Sequence, residues 1–175
     1  MNWYQSVFEL IDMRSFSNLW YWIVLATIWS TASHYVLGVP YDMVGRAARH
    51  GGQAESDLED VVRIRVDRLL YIARVSGLVI VTLVAAALTM LLLLGFVYGV
   101  EFAQALALIA VPMTGVSFLS VRTAEHIAAA ELSGEDLRRR LTRHRLAVQV
   151  IGMVSIFFTA MWGMYQNVTI GVPGF

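Results

Sequence analysis

Residues 56–98 read SDLEDVVRIRVDRLLYIARVSGLVIVTLVAAALTMLLLLGFVY. The first part of this stretch mixes carboxylates and arginines with apolar side chains, whereas residues 75–98 carry no charge over a length that suits a membrane crossing. Ser56 followed by Glu59 is a capping box, a pattern typical of a helix start. Glycine is tolerated inside membrane helices, so Gly77 is no obstacle. The stretch therefore predicts one helix over about 57–98 whose first four turns project out of the membrane.

Three further segments resemble the apolar half of that stretch. The chain has 175 residues, of which 58% are hydrophobic, and this is too apolar for an ordinary soluble domain. Each crossing needs about 20 mainly apolar residues. The sequence therefore predicts a single membrane domain, an all-α integral membrane four-helix bundle. Its spans are residues 16–37, 75–98, 102–121 and 146–166.

The basic residues predict how the bundle is threaded. All 13 are arginine, and 12 of them lie in the two charged segments 38–74 and 122–145. Positively charged loops stay in the cytoplasm. We therefore expect both termini outside and two helices extended into the cytoplasm. An arginine-only chain is typical of a GC-rich bacterial genome, so we expect a multi-pass protein of the bacterial inner membrane.

Two short helices are predicted beside the spans. Residues 2–13 place aromatic and aliphatic side chains on one helical face and polar ones on the other, which indicates an interfacial helix in the outer headgroup plane. A disordered tail with chance periodicity is the alternative. Pro40 is well placed to open a second helix reaching to His50. Ser133 with Asp136 is a weaker capping signal for the helix that leads into the last span.

The residues that could carry chemistry are few. The middle of every span lacks Asp, Glu, Lys and Arg, which argues against a proton pump or an ion-coupled carrier. The chain has no cysteine, and its zero formal net charge gives no support to nucleic acid binding. His34, His126 and His144 lack the spacing of helical metal ligands. We therefore expect no catalytic residue, no metal and no cofactor.

The densest charge cluster lies between residues 138 and 145. It is either a topological anchor attracted to anionic lipid headgroups or a docking site for an acidic partner or lipid. Both interpretations stay open on the sequence. The candidate contact residues are Arg138, Arg139, Arg140, Arg143 and Arg145.

Small side chains recur every four residues along the first and last spans. Small and hydroxyl side chains let membrane helices approach closely. We expect them to serve packing within the bundle rather than contact with another subunit. The candidate packing residues are Ala26, Ser30, His34, Gly38, Ser155, Thr159 and Gly163.

These observations favour a non-enzymatic accessory or scaffold subunit of a larger inner-membrane assembly, with a cytoplasmic helical docking face. The expected partners are membrane lipids and either a protein complex or further copies of the chain. Two alternatives stay open. One is a small oligomeric channel or carrier for a neutral solute, and the other is a membrane enzyme acting on lipid or quinone at the cytoplasmic boundary.

The chain also resembles a known family. The strings FELIDMRSFSNLWYW (8–22), ASHYVLGVPYDM (32–43) and YGVEFAQA (98–105) look like those of small four-span bacterial inner-membrane proteins. Members of that family are sometimes labelled "component of SufBCD complex", and the resemblance runs over most of the chain. It implies assistance to iron–sulfur assembly in the cytoplasm. Because there is no cysteine to hold a cluster, such assistance would consist of membrane recruitment.

Overall fold

Five helices account for most of the chain. The computed structural model describes residues 15–171, with side chains described through residue 168, so the predicted interfacial helix 2–13 lies outside the described residues. A 3-10 turn at Ser15–Ser17 precedes the first helix. The helices are α1 (Leu19–His34), α2 (Tyr41–His50), α3 (Gly52–Leu92), α4 (Glu101–Ala129) and α5 (Gly134–Gly171), and a π-helical turn at Leu93–Val97 continues α3.

Three helical segments are long and apolar enough to cross a membrane. They are Gly52–Val97, Glu101–Ala129 and Gly134–Val168. The fourth predicted span, 16–37, falls on α1, which has 16 residues. At 1.5 Å per residue α1 rises about 24 Å, less than the roughly 30 Å of a hydrocarbon core. The chain is therefore a helical protein with three membrane-length helices, and a fourth crossing stays a prediction.

The predicted long helix is present, but it begins earlier than its capping signal. α3 starts at Gly52, because Gly51 at φ +56° separates it from α2. Ser56 therefore lies inside the helix, and the prediction that it is the N-cap is wrong. The Glu59 carboxylate instead accepts a hydrogen bond from the backbone N–H of Gly134 at 2.7 Å. The carboxylate thus ties the start of α5 to α3.

A β-hairpin that the sequence did not predict joins α1 to α2. Strand β1 (Tyr35–Val36) pairs antiparallel with β2 (Val39–Pro40). The turn residues Leu37 and Gly38 have φ of +53° and +77°, as two-residue hairpin turns require. The helical part of the first segment therefore ends at His34 rather than at residue 37, and the fold is helical apart from this hairpin.

The helical ends that carry the arginines pack around a core of their own. We call this region the polar end; it comprises the hairpin, α2, the first part of α3 up to Arg74, and the charged segment 122–145. Side chains from α3 enter its core every four residues, as expected of one helical face. The core consists of Val36, Val39, Val44, Ala47, Leu58, Val62, Val66, Leu70, Ala124, Ile127, Leu137 and Leu141.

A second, smaller core joins α1, α4 and α5 in the apolar region. It is formed by Leu25, Trp29, Val116 and Val148. The apolar part of α3 contributes nothing to it, because no residue between Val75 and Leu94 is buried. At the opposite end from the arginines, which we call the aromatic end, α3 approaches α4 again through the π-helical turn.

Candidate functional site

Two of the clustered arginines connect α5 to other helices of the chain. Arg138 forms an ion pair with Glu55, and the two side chains are only 21% and 30% exposed. Arg145 donates from Nε to the carbonyl of Ser33 at 3.2 Å, and its guanidinium carbon lies 3.9 Å from the centre of the Tyr41 ring. These contacts hold α5 against α3, against the end of α1 and against the start of α2.

The other three arginines of the cluster point in different directions. Arg139 pairs with Glu135 one turn earlier on the exposed side of α5. Arg140 has a buried Nε without a hydrogen-bond partner among the described residues. Arg143 is exposed and has no ion pair within that same part of the chain. The structure thus does not gather the five predicted contact residues into one patch, and Arg139 and Arg143 are the exposed members.

One side of α3 at the polar end carries the carboxylates. Glu59, Asp60, Asp67 and Glu131 line a cavity of about 420 Å³ between α3, the end of α4 and the start of α5, together with Arg63. Arg63 pairs with Asp60 at 2.8 Å. Asp67 and Glu131 have no ion pair within the described residues. We call this cavity the acidic groove.

A different side of α3 carries two arginines. Arg65 and Arg68 line an open cavity of about 360 Å³ that is bounded by the hairpin, α4 and α5, and no carboxylate lines it. Neither arginine has an ion pair with a described residue. Tyr35, Ser120 and His144 supply its other polar side chains. We call this cavity the basic cleft.

The imidazole of His144 is buried at the floor of the basic cleft. It lies in the charged segment of α5 that precedes the apolar stretch 146–166. Its Nδ1 lies 3.1 Å from the Thr123 hydroxyl, and its Nε2 lies 3.5 Å from the Ser120 hydroxyl. Burial, with a smaller contribution from the charge of Arg140, lowers the pKa of His144 to about 4. The ring is therefore neutral at pH 7.

The small residues predicted to pack along α1 lie on its exposed side. They are Ala26, Ser30, His34 and, in the hairpin turn, Gly38. The helix instead buries Leu25 and Trp29. The indole of Trp29 lies over Gly152 of α5, where an added Cβ would come within 2.7 Å of the ring. Close approach of α1 and α5 thus depends on a large side chain meeting a glycine.

The corresponding residues of α5 face inward. The Thr159 hydroxyl donates to the carbonyl of Ser155 at 2.8 Å, and the Ser155 hydroxyl donates to the carbonyl of Leu108 at 3.4 Å. Gly163 accommodates Phe16, whose ring and Cβ would lie 3.3 Å from an added Cβ. The hydroxyl-bearing faces of α1 and α5 therefore do not meet along a common path.

A glutamine that the sequence did not single out connects three elements at the aromatic end. Gln104 is buried, and its Nε2 donates to the carbonyl of Gly95 at 2.8 Å. Its Oε1 accepts from Trp162 Nε1 at 3.0 Å and from Gln166 Nε2 at 2.7 Å. The sequence feature that could have identified Gln104 is an amide side chain near the start of an apolar helix, where polar groups form hydrogen bonds between helices.

The histidines do not assemble into a metal site. Within residues 15–168, no three His, Asp or Glu side chains come together in a way that could hold a metal ion. His34 and His126 are exposed, and His144 is the one histidine that lines the basic cleft. The histidines considered for chemistry at the membrane boundary therefore do not share that cavity.

Comparison with family models, with curated proteins and with solved structures finds no match to this chain.

Proposed function

We propose that this protein is a non-enzymatic accessory or scaffold subunit of a larger assembly in a bacterial inner membrane. The observation that carries the proposal is the separate core of the polar end. Crossing a membrane needs apolar helices alone. In this chain three helices also extend beyond their apolar parts and pack with α2 and the hairpin to form the folded polar end. A folded, charged region of this kind on a small membrane protein suits the docking of a partner protein.

The proposed orientation places the polar end in the cytoplasm and both termini outside. Twelve of the 13 arginines belong to the segments that form the polar end, and basic loops stay in the cytoplasm. The opposite end carries Trp20, Tyr98 and Trp162, and the amphipathic rings of Trp and Tyr favour the membrane interface. Arg139 and Arg143 would then face the anionic headgroups of the inner leaflet.

Labelling of single cysteines tests this orientation, because the natural chain has none. Ser56 is exposed at the polar end, and Tyr98 is 75% exposed at the aromatic end. In intact spheroplasts a membrane-impermeant maleimide should label the Tyr98→Cys variant and leave the Ser56→Cys variant unlabelled. Permeabilisation should make both variants react. Labelling of Ser56→Cys in sealed spheroplasts would refute the orientation.

Two surfaces of the chain suit a partner subunit. The acidic groove offers two carboxylates without ion pairs among the described residues, Asp67 and Glu131, to a basic segment outside the membrane. Within the apolar region, α1 exposes the small and polar face that includes Ala26, Ser30 and His34. Such a face is typical of helix–helix contacts in membranes, and no described helix of this chain covers it. Together the surfaces describe a subunit that packs beside another membrane protein and holds its basic segment.

A charge reversal in the acidic groove tests the docking surface. We expect Asp67→Arg to reduce the partner recovered in mild detergent by about tenfold, because it replaces an attraction with a repulsion in a partly screened setting. Glu125→Arg is the matched control, since Glu125 is an exposed carboxylate of α4 that does not line the groove. The measurement is the partner-to-chain ratio by quantitative mass spectrometry. Equal recovery with both variants would rule out docking through this groove.

A further inference from the structure

We propose that the basic cleft binds the phosphate of an anionic lipid headgroup, with the lipid's acyl chain lying along the apolar wall of the cleft. Arg65, Arg68, Leu69 and Ile72 follow one another at i, i+3, i+4 and i+7, so one face of α3 presents two guanidinium groups and two apolar side chains to the same cavity. This is the amphipathic pattern that a lipid with a charged head requires.

The electrostatics of the cleft select an anion. Its two arginines lack ion pairs with described residues, and the carboxylates of this part of α3 line the acidic groove instead. Guanidinium groups bind phosphate oxygens through two parallel hydrogen bonds, and their charge is permanent. Two such groups at positions 65 and 68 therefore leave an uncompensated positive charge for which an anion is the natural ligand.

His144 adds a neutral donor at the floor of the cleft. The Ser120 hydroxyl already donates its proton to the carbonyl of Val116 at 2.8 Å, so towards His144 it can only accept. The ring proton is assigned to Nε2, so that Nδ1 accepts from the Thr123 hydroxyl. The contact from Nε2 to Ser120 is long, at 3.5 Å, which leaves this N–H available to a headgroup oxygen.

The position of the cleft favours a lipid over free phosphate. Its arginines precede the point after Arg74 where α3 carries no further charge, whereas Met113, Val116 and Val148 belong to apolar stretches of α4 and α5. The cleft thus spans the boundary at which phospholipid phosphates reside. A free phosphate would leave the apolar wall without a ligand, while a lipid covers both parts.

The test measures the lipid that stays with the full-length chain. The chain is extracted with mild detergent from vesicles of equal phosphatidylglycerol and phosphatidylcholine, and bound lipid is quantified by mass spectrometry. We expect selective retention of phosphatidylglycerol by the natural chain. Retention should fall at least about tenfold in the Arg65→Gln/Arg68→Gln variant, since each arginine near the surface contributes appreciably to anionic lipid binding.

A matched double variant separates a site from general charge attraction. Arg49 and Arg74 are exposed arginines of the same end that line neither cavity and have no ion pair with a described residue. Their replacement by glutamine removes the same charge and should leave phosphatidylglycerol retention unchanged. Equal loss in both double variants, with unchanged thermal unfolding midpoints, would overturn the proposal.

Two further arms distinguish a lipid from free phosphate. Ile72→Ser removes part of the apolar wall without changing charge, and it should lower phosphatidylglycerol retention. Excess inorganic phosphate in the extraction buffer should displace little lipid. Complete displacement by inorganic phosphate would show that the cleft holds phosphate alone and would refute a lipid site. Full retention in Ile72→Ser would refute the placement of the acyl chain along the apolar wall.

Discussion

Replacing Gly152 with alanine should destabilise the protein by about 1–3 kcal/mol, the usual cost of overpacking a close contact. The new Cβ would lie 2.7 Å from one ring carbon of Trp29 and 3.1 Å from another, and the indole is buried. Relief requires either a shift of the ring or a separation of α1 from α5. The measurement is the free energy of unfolding in a lipid–detergent mixture.

A second glycine provides the control for helix propensity. Gly115 lies inside α4, and no atom lies within 4 Å of the position that an added methyl group would take. Gly115→Ala therefore adds only the helix preference of alanine and should stabilise the protein by up to about 1 kcal/mol. The two variants thus have opposite expected signs. A stabilised Gly152→Ala variant would show that Trp29 does not pack against α5 as described.

Replacing Gln104 with leucine should cost about 2–4 kcal/mol. The change removes three hydrogen bonds and leaves Trp162 Nε1, Gln166 Nε2 and the Gly95 carbonyl without their partner. Hydrogen bonds between membrane helices contribute about 0.6–1.7 kcal/mol each, and an unsatisfied buried group adds a penalty. Because the amide joins α4 to α5 and to the π-helical turn, the loss should loosen the whole aromatic end.

Gln149→Leu is the matched control for that substitution. Gln149 lies half-buried on α5 with no side-chain hydrogen bond among the described residues, so leucine there removes no hydrogen bond. Its free energy of unfolding should stay within about 0.5 kcal/mol of the natural chain. If Gln104→Leu lowered the free energy of unfolding no more than Gln149→Leu does, Gln104 would stabilise the fold by its volume rather than by its hydrogen bonds.

The long helices could be predicted because their signal is local. Runs without charge mark the apolar parts, and the helical pattern of residues 57–74 continues into the run that follows. The hairpin could not be predicted, since Leu37 adopts a positive φ that leucine rarely takes. That conformation is held by burial of Val36 and Val39 in the core of the polar end. Long-range packing therefore outweighed a local preference.

The site residues show where sequence reasoning stops. Small residues at every fourth position predicted packing, but such spacing cannot say which face of α1 turns inward, and Leu25 with Trp29 took that role. The density of arginines predicted a lipid or partner contact at residues 138–145, whereas Arg65 and Arg68 line the basic cleft. Their significance depends on the separation of the acidic and basic sides of α3, which requires the positions of the hairpin, α4 and α5.

The mass of the complex that contains this chain, when the chain is expressed at its natural level, tests the proposed role as an accessory subunit. The protein is extracted from native membrane in mild detergent, and the components of the intact particle are identified by mass spectrometry. We expect a particle in which a second protein is present in a fixed stoichiometric ratio. Recovery of the chain alone, or only with copies of itself, would contradict the proposed role as an accessory subunit.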